Sequence, residues 1–210
     1  ELTRVGAPLL GTGGEVKSLA FSPDGSMLAT SAFGNVITLW DVDSRSRLYS
    51  DQTERDNAFR GWPGLDFSPD GRTLAVTFES GVRLVDVTTG ASLREIGAGR
   101  GDPSFSSDGT MIATALGFGG GAVVRDVATG ASTATVDALP GDGQSDWTVA
   151  LSPDVRTLAV GGTTRLVRLV DVRTGKLLHE LDLAGTGAFS LGFSPDGRTL
   201  AWGDGAGVVL

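Results

Sequence analysis

The sequence predicts an all-β fold made of five four-stranded antiparallel units. Three observations carry this. A pentapeptide turn recurs five times, a strand with one large and one small apolar face follows each copy, and a strand ending in Asp follows in four of the five units. The pentapeptides are Phe21-Ser-Pro-Asp-Gly25, Phe67-Ser-Pro-Asp-Gly71, Phe105-Ser-Ser-Asp-Gly109, Leu151-Ser-Pro-Asp-Val155 and Phe193-Ser-Pro-Asp-Gly197, spaced 46, 38, 46 and 42 residues apart. A period of this length marks one supersecondary unit that stacks on its neighbours.

The elements follow in order within each unit. The segment before the pentapeptide, such as 16–20 or 190–192, is the first strand. The pentapeptide itself is a turn: Pro sets φ, Asp bonds its own backbone two residues on, and Gly supplies a positive φ. Val155 stands where the other copies have Gly, so the fourth turn is expected to be strained or differently shaped. The second strand alternates with period two. Its large positions are Leu28, Leu74, Ile112, Leu158 and Leu200, each followed by Ala29, Ala75, Ala113, Ala159 or Ala201. A sheet that is apolar on both faces must be covered on both, as in sheets stacked face to face around an axis. The third strand (36–40, 82–85, 122–125, 166–170) leads into Asp41, Asp86, Asp126 or Asp171. That Asp caps a turn in which Gly90, Gly130 or Gly175 takes the left-handed position. The fourth strand, as in 92–96 and 176–181, closes the unit. No helical period is present.

These residues resemble the WD-repeat β-propeller family. The likeness rests on the Phe-Ser-Pro-Asp-Gly turn, the Leu-Ala strand, the Trp40-Asp41 dipeptide and the Asp-Val-x-Thr-Gly turn, and it covers nearly the whole chain. Bacterial members look most similar. The family's Gly-His dipeptide is missing, with Gly11-Thr12 in its place in the first copy. Trp-Asp survives once and becomes Val85-Asp86, Arg125-Asp126 and Val170-Asp171 elsewhere. The Asp–His–Ser–Trp tetrad of many family blades therefore cannot form, and apolar packing is expected to carry stability.

The resemblance implies one propeller domain over 1–210, with blades near 11–52, 61–97, 100–137, 145–183 and 187–210. The last unit supplies three strands, ending at Val208-Val209-Leu210. A segment at 2–10, including Val5-Gly6-Ala7-Pro8-Leu9, sits where a fourth strand would complete it, as in the family's usual ring closure. A closed five-blade ring is the expectation; the alternative is a five-blade excerpt of a larger propeller. The patterned ends give the chain the look of a trimmed domain.

Composition excludes several function classes. The chain has 210 residues, 17 Lys+Arg against 25 Asp+Glu, and a net charge of −8. Such a chain repels phosphate backbones, so no nucleic-acid partner is expected. With no Cys and one His, disulfides, thiolate nucleophiles, Cys-ligated metals and multi-His sites are excluded. No cofactor or metal is expected. No apolar signal core or membrane-length run is present, so the expected location is cytoplasmic and no membrane partner is expected. The 32 Gly are about twice the usual ~7% and fit many tight turns.

In the family, one face of the ring carries the fourth-to-first and second-to-third strand loops, and loops on a rigid frame are where binding residues sit. The most distinctive loop, 51–61 and the Trp after it, offers Arg55, Phe59, Arg60 and Trp62, residue types that dominate interface energetics. The plainer reading is a solvated charged loop with both aromatics tucked into the frame. Further candidates are Arg100, Asp102, Asp146, Trp147 and Arg165. The acids of 137–147 lack a calcium-loop pattern. Gly117-Phe-Gly-Gly-Gly121 reads as a hairpin tip rather than a phosphate loop, since no helix or Lys-Ser/Thr follows. Arg100-Gly101-Asp102 matches an integrin-binding tripeptide, a coincidence three residues reach easily. His179 reads as solvent-facing on a fourth strand.

One pair bears on catalysis. Asp66 and Asp102 alone place carboxylates in the small-residue rows of the first strands, Ala20/Asp66/Ser104/Ala150/Gly192 and Ser18/Gly64/Asp102/Thr148/Ser190. First strands line the central channel in the family, and two close carboxylates can split their pKa values. The leading expectation is nevertheless a non-catalytic scaffold that presents a loop-bearing face to a protein or peptide partner with a basic surface. One alternative is an enzyme or small-ligand binder using Asp66 and Asp102. The other is an excised or engineered fragment that self-assembles by blade completion.

Overall fold

The structure is a computed structural model, and it describes residues 8–10, 14–32, 34, 36–52, 63–78, 81–117, 121–137, 146–183, 187–203 and 208–209. Unit 1 holds β1 (Val16–Phe21), β2 (Met27–Ala32), β3 (Val36–Asp41) and β4 (Arg47–Gln52). Unit 2 holds β5 (Leu65–Phe67), β6 (Thr73–Thr77), β7 (Val82–Asp86) and β8 (Ser92–Ile96). Unit 3 holds β9 (Arg100–Phe105), β10 (Met111–Ala115), β11 (Ala122–Asp126) and β12 (Ser132–Val136). Unit 4 holds β13 (Asp146–Leu151), β14 (Thr157–Gly162), β15 (Leu166–Asp171) and β16 (Leu177–Asp182). Unit 5 shows β17 (Ser190–Phe193), β18 (Leu200–Gly203) and β19 (Val208–Val209). No helix occurs among the described residues.

Every unit is an antiparallel meander in chain order. Units 3 and 4 run on as one eight-stranded sheet because β9 and β13 pair in parallel at Asp102 and Thr148. A second parallel bridge, Pro63 to Gly101, ties the entry of unit 2 to that of unit 3. First strands of successive units therefore lie side by side. The segment at 2–10 expected to complete unit 5 falls mostly outside the described residues, and 8–10 carry no strand.

The repeated residues make repeated local structure. In the first turn, Ser22 Oγ donates to Asp24 Oδ1 at 2.6 Å, and Asp24 Oδ1 accepts the Ser26 amide at 3.0 Å. Gly25 N–H closes the turn onto Ser22 O at 2.8 Å with φ +74°. The same serine–aspartate pair recurs at Ser68/Asp70, Ser106/Asp108, Ser152/Asp154 and Ser194/Asp196. In the fourth copy Val155 keeps the shape: its N–H bonds Ser152 O at 2.9 Å, with φ at +61°. Of the two expectations for this turn, strain is the one observed, since a β-branched residue in the left-handed region is sterically disfavoured. The second turn also follows the sequence reading. Asp86, Asp126 and Asp171 accept the amide and hydroxyl of Thr89, Thr129 and Thr174. Gly90, Gly130 and Gly175 lie at φ +70°, +76° and +67°.

One packing rule builds the core. The small row of each unit meets the large row of the next. Ala29 packs with Leu65, Phe67 and Leu74. Ala75 packs with Phe105 and Ile112. Ala113 packs with Val149, Leu151 and Leu158. Ala159 packs with Leu191, Phe193, Leu200 and Trp202. Full burial of each large side chain contributes roughly 1.5–3 kcal/mol. Polar stitches reinforce two junctions: Ser31 Oγ donates to Pro63 O at 2.6 Å, and Thr77 Oγ1 donates to Gly101 O at 2.8 Å.

Candidate functional site

Two surfaces were expected to matter, the channel and the loop edge. The channel is a cavity of about 410 Å³ lined by residues of all five first strands. Asp66 and Asp102 both face it, as the sequence rows imply. Asp66 Oδ2 accepts the Phe105 amide at 2.8 Å. One unit on, Ser104 Oγ accepts the Leu151 amide at 3.0 Å from the equivalent position. Asp66 is thus a clamp between first strands. Burial pushes its carboxyl up to about 7, against the Phe105 and Phe67 amides that favour the charged form; the Asp102 charge adds to the rise. Asp102 Oδ1 accepts the Ser18 hydroxyl at 2.8 Å, which joins unit 3 to unit 1. Burial raises its carboxyl too, opposed by the Ser18 hydrogen bond. Ser18 stood in the small-residue row, and nothing local marked it as a partner of a residue 84 positions away.

Contacts between glycines and opposing backbone identify the loop edge. A Cβ on Gly81 would meet Gly97, and one on Gly187 would meet Gly162, Thr163 and Thr164. A Cβ on Gly117 would meet the Arg100 side chain. The first two contacts bring a second-to-third strand loop against a fourth-to-first strand loop, and the third brings one against the start of β9. Among the described residues, these contacts bring the two kinds of loop to one edge of the sheets.

The expected partner-binding residues divide by position. Arg55, Phe59, Arg60 and Trp62 lie outside the described residues. Asp146 and Trp147 belong to β13, where only their backbone is described. Arg100 and Asp102 lie on β9 and are half-buried, Arg100 toward Gly117 and Asp102 toward the channel. Arg165 is exposed on the 163–165 loop with its guanidinium 3.6 Å from Asp182. His179 is exposed on β16. No group of three or more metal-ligating side chains occurs among the described residues. No helix among them is long and apolar enough to cross a membrane.

The polar partner of the family's Trp position is a feature that the sequence reading missed. Trp40 Nε1 donates to Thr30 Oγ1 at 3.0 Å. Arg125, at the equivalent position of unit 3, is buried and donates from Nη1 to the equivalent Thr114 Oγ1 at 3.3 Å. At the two equivalent positions unit 2 carries Val85 and Val76, and unit 4 carries Val170 and Val160. Donor goes with acceptor and valine with valine. The signal lay in comparing units at two strand positions together.

An all-β chain of repeated antiparallel four-stranded units, with first strands side by side around one channel, is consistent with a β-propeller. Comparison with known proteins agrees at the level of the repeat. The family described as "WD domain, G-beta repeat" (WD40) matches residues 6–41. Over 197 residues the chain is 28% identical to an uncharacterized WD repeat-containing protein of Synechocystis sp., covering 93% of this chain and 43% of that protein. It is 29% identical over 116 residues to the small ribosomal subunit protein RACK1 of Candida albicans, covering 50% of this chain and 35% of that one. It is 48% identical over 54 residues to eukaryotic translation initiation factor 3 subunit I of Phaeosphaeria nodorum, covering 26% and 16%. The chain thus spans less than half the length of these curated relatives.

Proposed function

We propose that the chain is a non-catalytic scaffold that presents its loop-bearing edge to a protein or peptide partner. The carrying observation is the shared edge: two loop sets converge on a frame held by repeated turns and buried rows. Two of the similar proteins are named as subunits of larger assemblies, a small ribosomal subunit protein and an initiation-factor subunit, which supports the same reading. With a net charge of −8, the partner's matching surface is basic, and its association slows as salt rises. Arg55, Phe59, Arg60 and Trp62 are the leading anchors, with Asp146, Trp147 and Arg165 as further candidates. The test is affinity capture on the immobilised chain, compared with a Phe59→Ala/Arg60→Ala/Trp62→Ala variant. The variant is expected to keep its β-sheet circular dichroism and lose the captured partner. Equal capture by both proteins overturns this choice of edge.

One observation favours a second reading, a small-ligand or catalytic channel: both Asp66 and Asp102 face it with raised carboxyls. Against it, each carboxylate already accepts a hydrogen bond that holds strands together. A channel function would be lost in an Asp66→Asn/Asp102→Asn variant, whereas a scaffold binds as before.

A further inference from the structure

Among the described arginines, Arg125 is the one that is buried, at 7% exposure, and no acid pairs with it. The two half-buried arginines of the equivalent strands are treated differently. Arg83 of β7 donates to Glu95 Oε1 at 2.8 Å, and Arg168 of β15 donates to Glu180 Oε2 at 3.0 Å, each across to the next strand. The cross-strand neighbours of Arg125 are Ile112 and Ser132, which carry no charge. Burial alone lowers its pKa, with no nearby carboxylate to offset it among the described residues. Packing does not demand a cation at this place, since unit 2 has Val85 there and unit 4 has Val170. A buried charge without a partner is expensive, and its presence calls for a reason.

The guanidinium uses one side and leaves the other free. Nη1 donates to Thr114 Oγ1 at 3.3 Å, its one hydrogen bond among the described residues. Nε and Nη2 lie against the loop that follows β8. A Cβ on Gly97 would come 2.6 Å from Nε and 2.8 Å from Nη2, and one on Gly99 would come 2.8 Å from Thr114 Oγ1. The loop thus lies closely over the Arg125–Thr114 pair, and only glycines allow it. Gly97 and Ala98 are themselves exposed, so the cover is thin. Among the described residues only Thr163 Oγ1 is both sealed from solvent and without a hydrogen bond. Nε and Nη2, which have no partner, are therefore within reach of solvent.

We propose that Arg125 is an anion receptor, and that the groove between units 2 and 3 under the 97–99 loop binds a carboxylate. Nε and Nη2 are adjacent donors, the fork that matches the two oxygens of one carboxylate. A single negative charge neutralises the single buried cation. A phosphate dianion would leave excess charge in the groove, and the chain's net charge of −8 repels it more strongly. The thin opening limits the ligand to a carboxylate on a slim stem, either a small free acid or an acidic side chain of a bound peptide. Every residue of the site belongs to unit 2 or unit 3 or to the loop that joins them. This inference does not rest on the scaffold reading.

The test is thermal unfolding at neutral pH in sodium acetate against sodium chloride of equal ionic strength. The linewidth of the carbon resonance of labelled acetate reads binding directly. The unaltered chain is expected to gain melting temperature with acetate along a saturating, single-site curve, and to broaden the acetate signal. Arg125→Val/Thr114→Val copies the valines of units 2 and 4, so it is expected to keep its circular dichroism and lose both responses. Arg125→Lys keeps the charge without the fork and is expected to need about tenfold more acetate, the equivalent of one charged hydrogen bond. The capped tripeptide Ac-Gly-Glu-Gly-NH2 separates the two sources of carboxylate. A response to acetate alone assigns small free acids, and a response to the tripeptide assigns acidic side chains. No response to either beyond that of chloride overturns the proposal; so does an equal response in the double-valine variant. The 53–62 loop is intact in every variant, so partner capture there reports on the scaffold reading separately.

Discussion

At the position of the repeat Trp, side-chain chemistry is chosen in pairs. Trp40 with Thr30 and Arg125 with Thr114 each supply a donor and an acceptor. Val85 with Val76 and Val170 with Val160 supply neither. Arg125 is the costly member, because burial disfavours its charge and lowers its pKa from the usual value. Gly97, at φ +40°, makes room for it, since a Cβ there would come within 2.6 Å of the guanidinium. Removing only the acceptor should hurt. Thr114→Val leaves a buried guanidinium N–H without its partner and is expected to cost about 1–3 kcal/mol. Arg125→Val/Thr114→Val reproduces the pairing of units 2 and 4 and should recover most of that loss. Urea unfolding of all four corners of the cycle measures the coupling. Additive effects would show that the two side chains do not act as a pair. The aspartate turns were legible from single residues. This pairing was not, because it spans two strands and appears only when four units are aligned.

The pentapeptide element shows compensated departure. Where the third copy loses its Pro, as Ser107, the facing copy loses its Gly, as Val155. Pro rings sit close over Gly71, Gly109 and Gly197, with 3.4–3.6 Å to a built Cβ. A valine fits that place only when no ring faces it. Ser107 uses its hydroxyl instead, donating to Pro153 O at 2.6 Å. Val155 also packs on the unit 3–unit 4 core, which offsets part of its left-handed strain. Ser107→Pro alone is therefore expected to destabilise by about 1–3 kcal/mol through overpacking. Adding Val155→Gly should restore the ordinary junction and return most of it, as read by thermal unfolding of the single and double variants. If the double variant is no better than Ser107→Pro, the facing-pair account fails. Strand order and turns were readable in the sequence because each rests on local residues. The second strands followed the Leu-Ala register, and the third strands ran through to their Asp. The match between one unit's turn and the next unit's turn needed the fold.

Across the whole molecule, two sets of carboxyls pull stability in opposite directions with pH. The turn aspartates, among them Asp24 at about 2, are held below the ordinary 3.8 by serine or threonine hydroxyls and amides. The folded state holds their charged form, so their contribution is present above pH 4 and lost as pH falls toward 2. Asp66 behaves oppositely. Its carboxyl rises from 3.8 to about 7 in the folded chain, which then binds a proton the unfolded chain has released. Stability therefore falls as pH climbs from about 4 to 7, and Asp102, raised by burial as well, adds to the fall. The sequence placed both acids in the channel rows, because first-strand alignment needs only the repeat. Their protonation could not be read there, because it depends on how far the assembled strands bury each carboxyl. Asp66→Asn keeps an acceptor for the Phe105 amide and removes the titration. The variant should match the unaltered chain near pH 4 and exceed it by about 1–2 kcal/mol at pH 8, a figure reduced because the carboxyl faces a channel open to water. Thermal unfolding from pH 2.5 to 8 should show a maximum near pH 4–5 for the unaltered chain and a flatter upper limb for the variant. Parallel upper limbs would mean that Asp66 is already ionised at low pH in the folded protein, and the clamp would then be a charged one held by water.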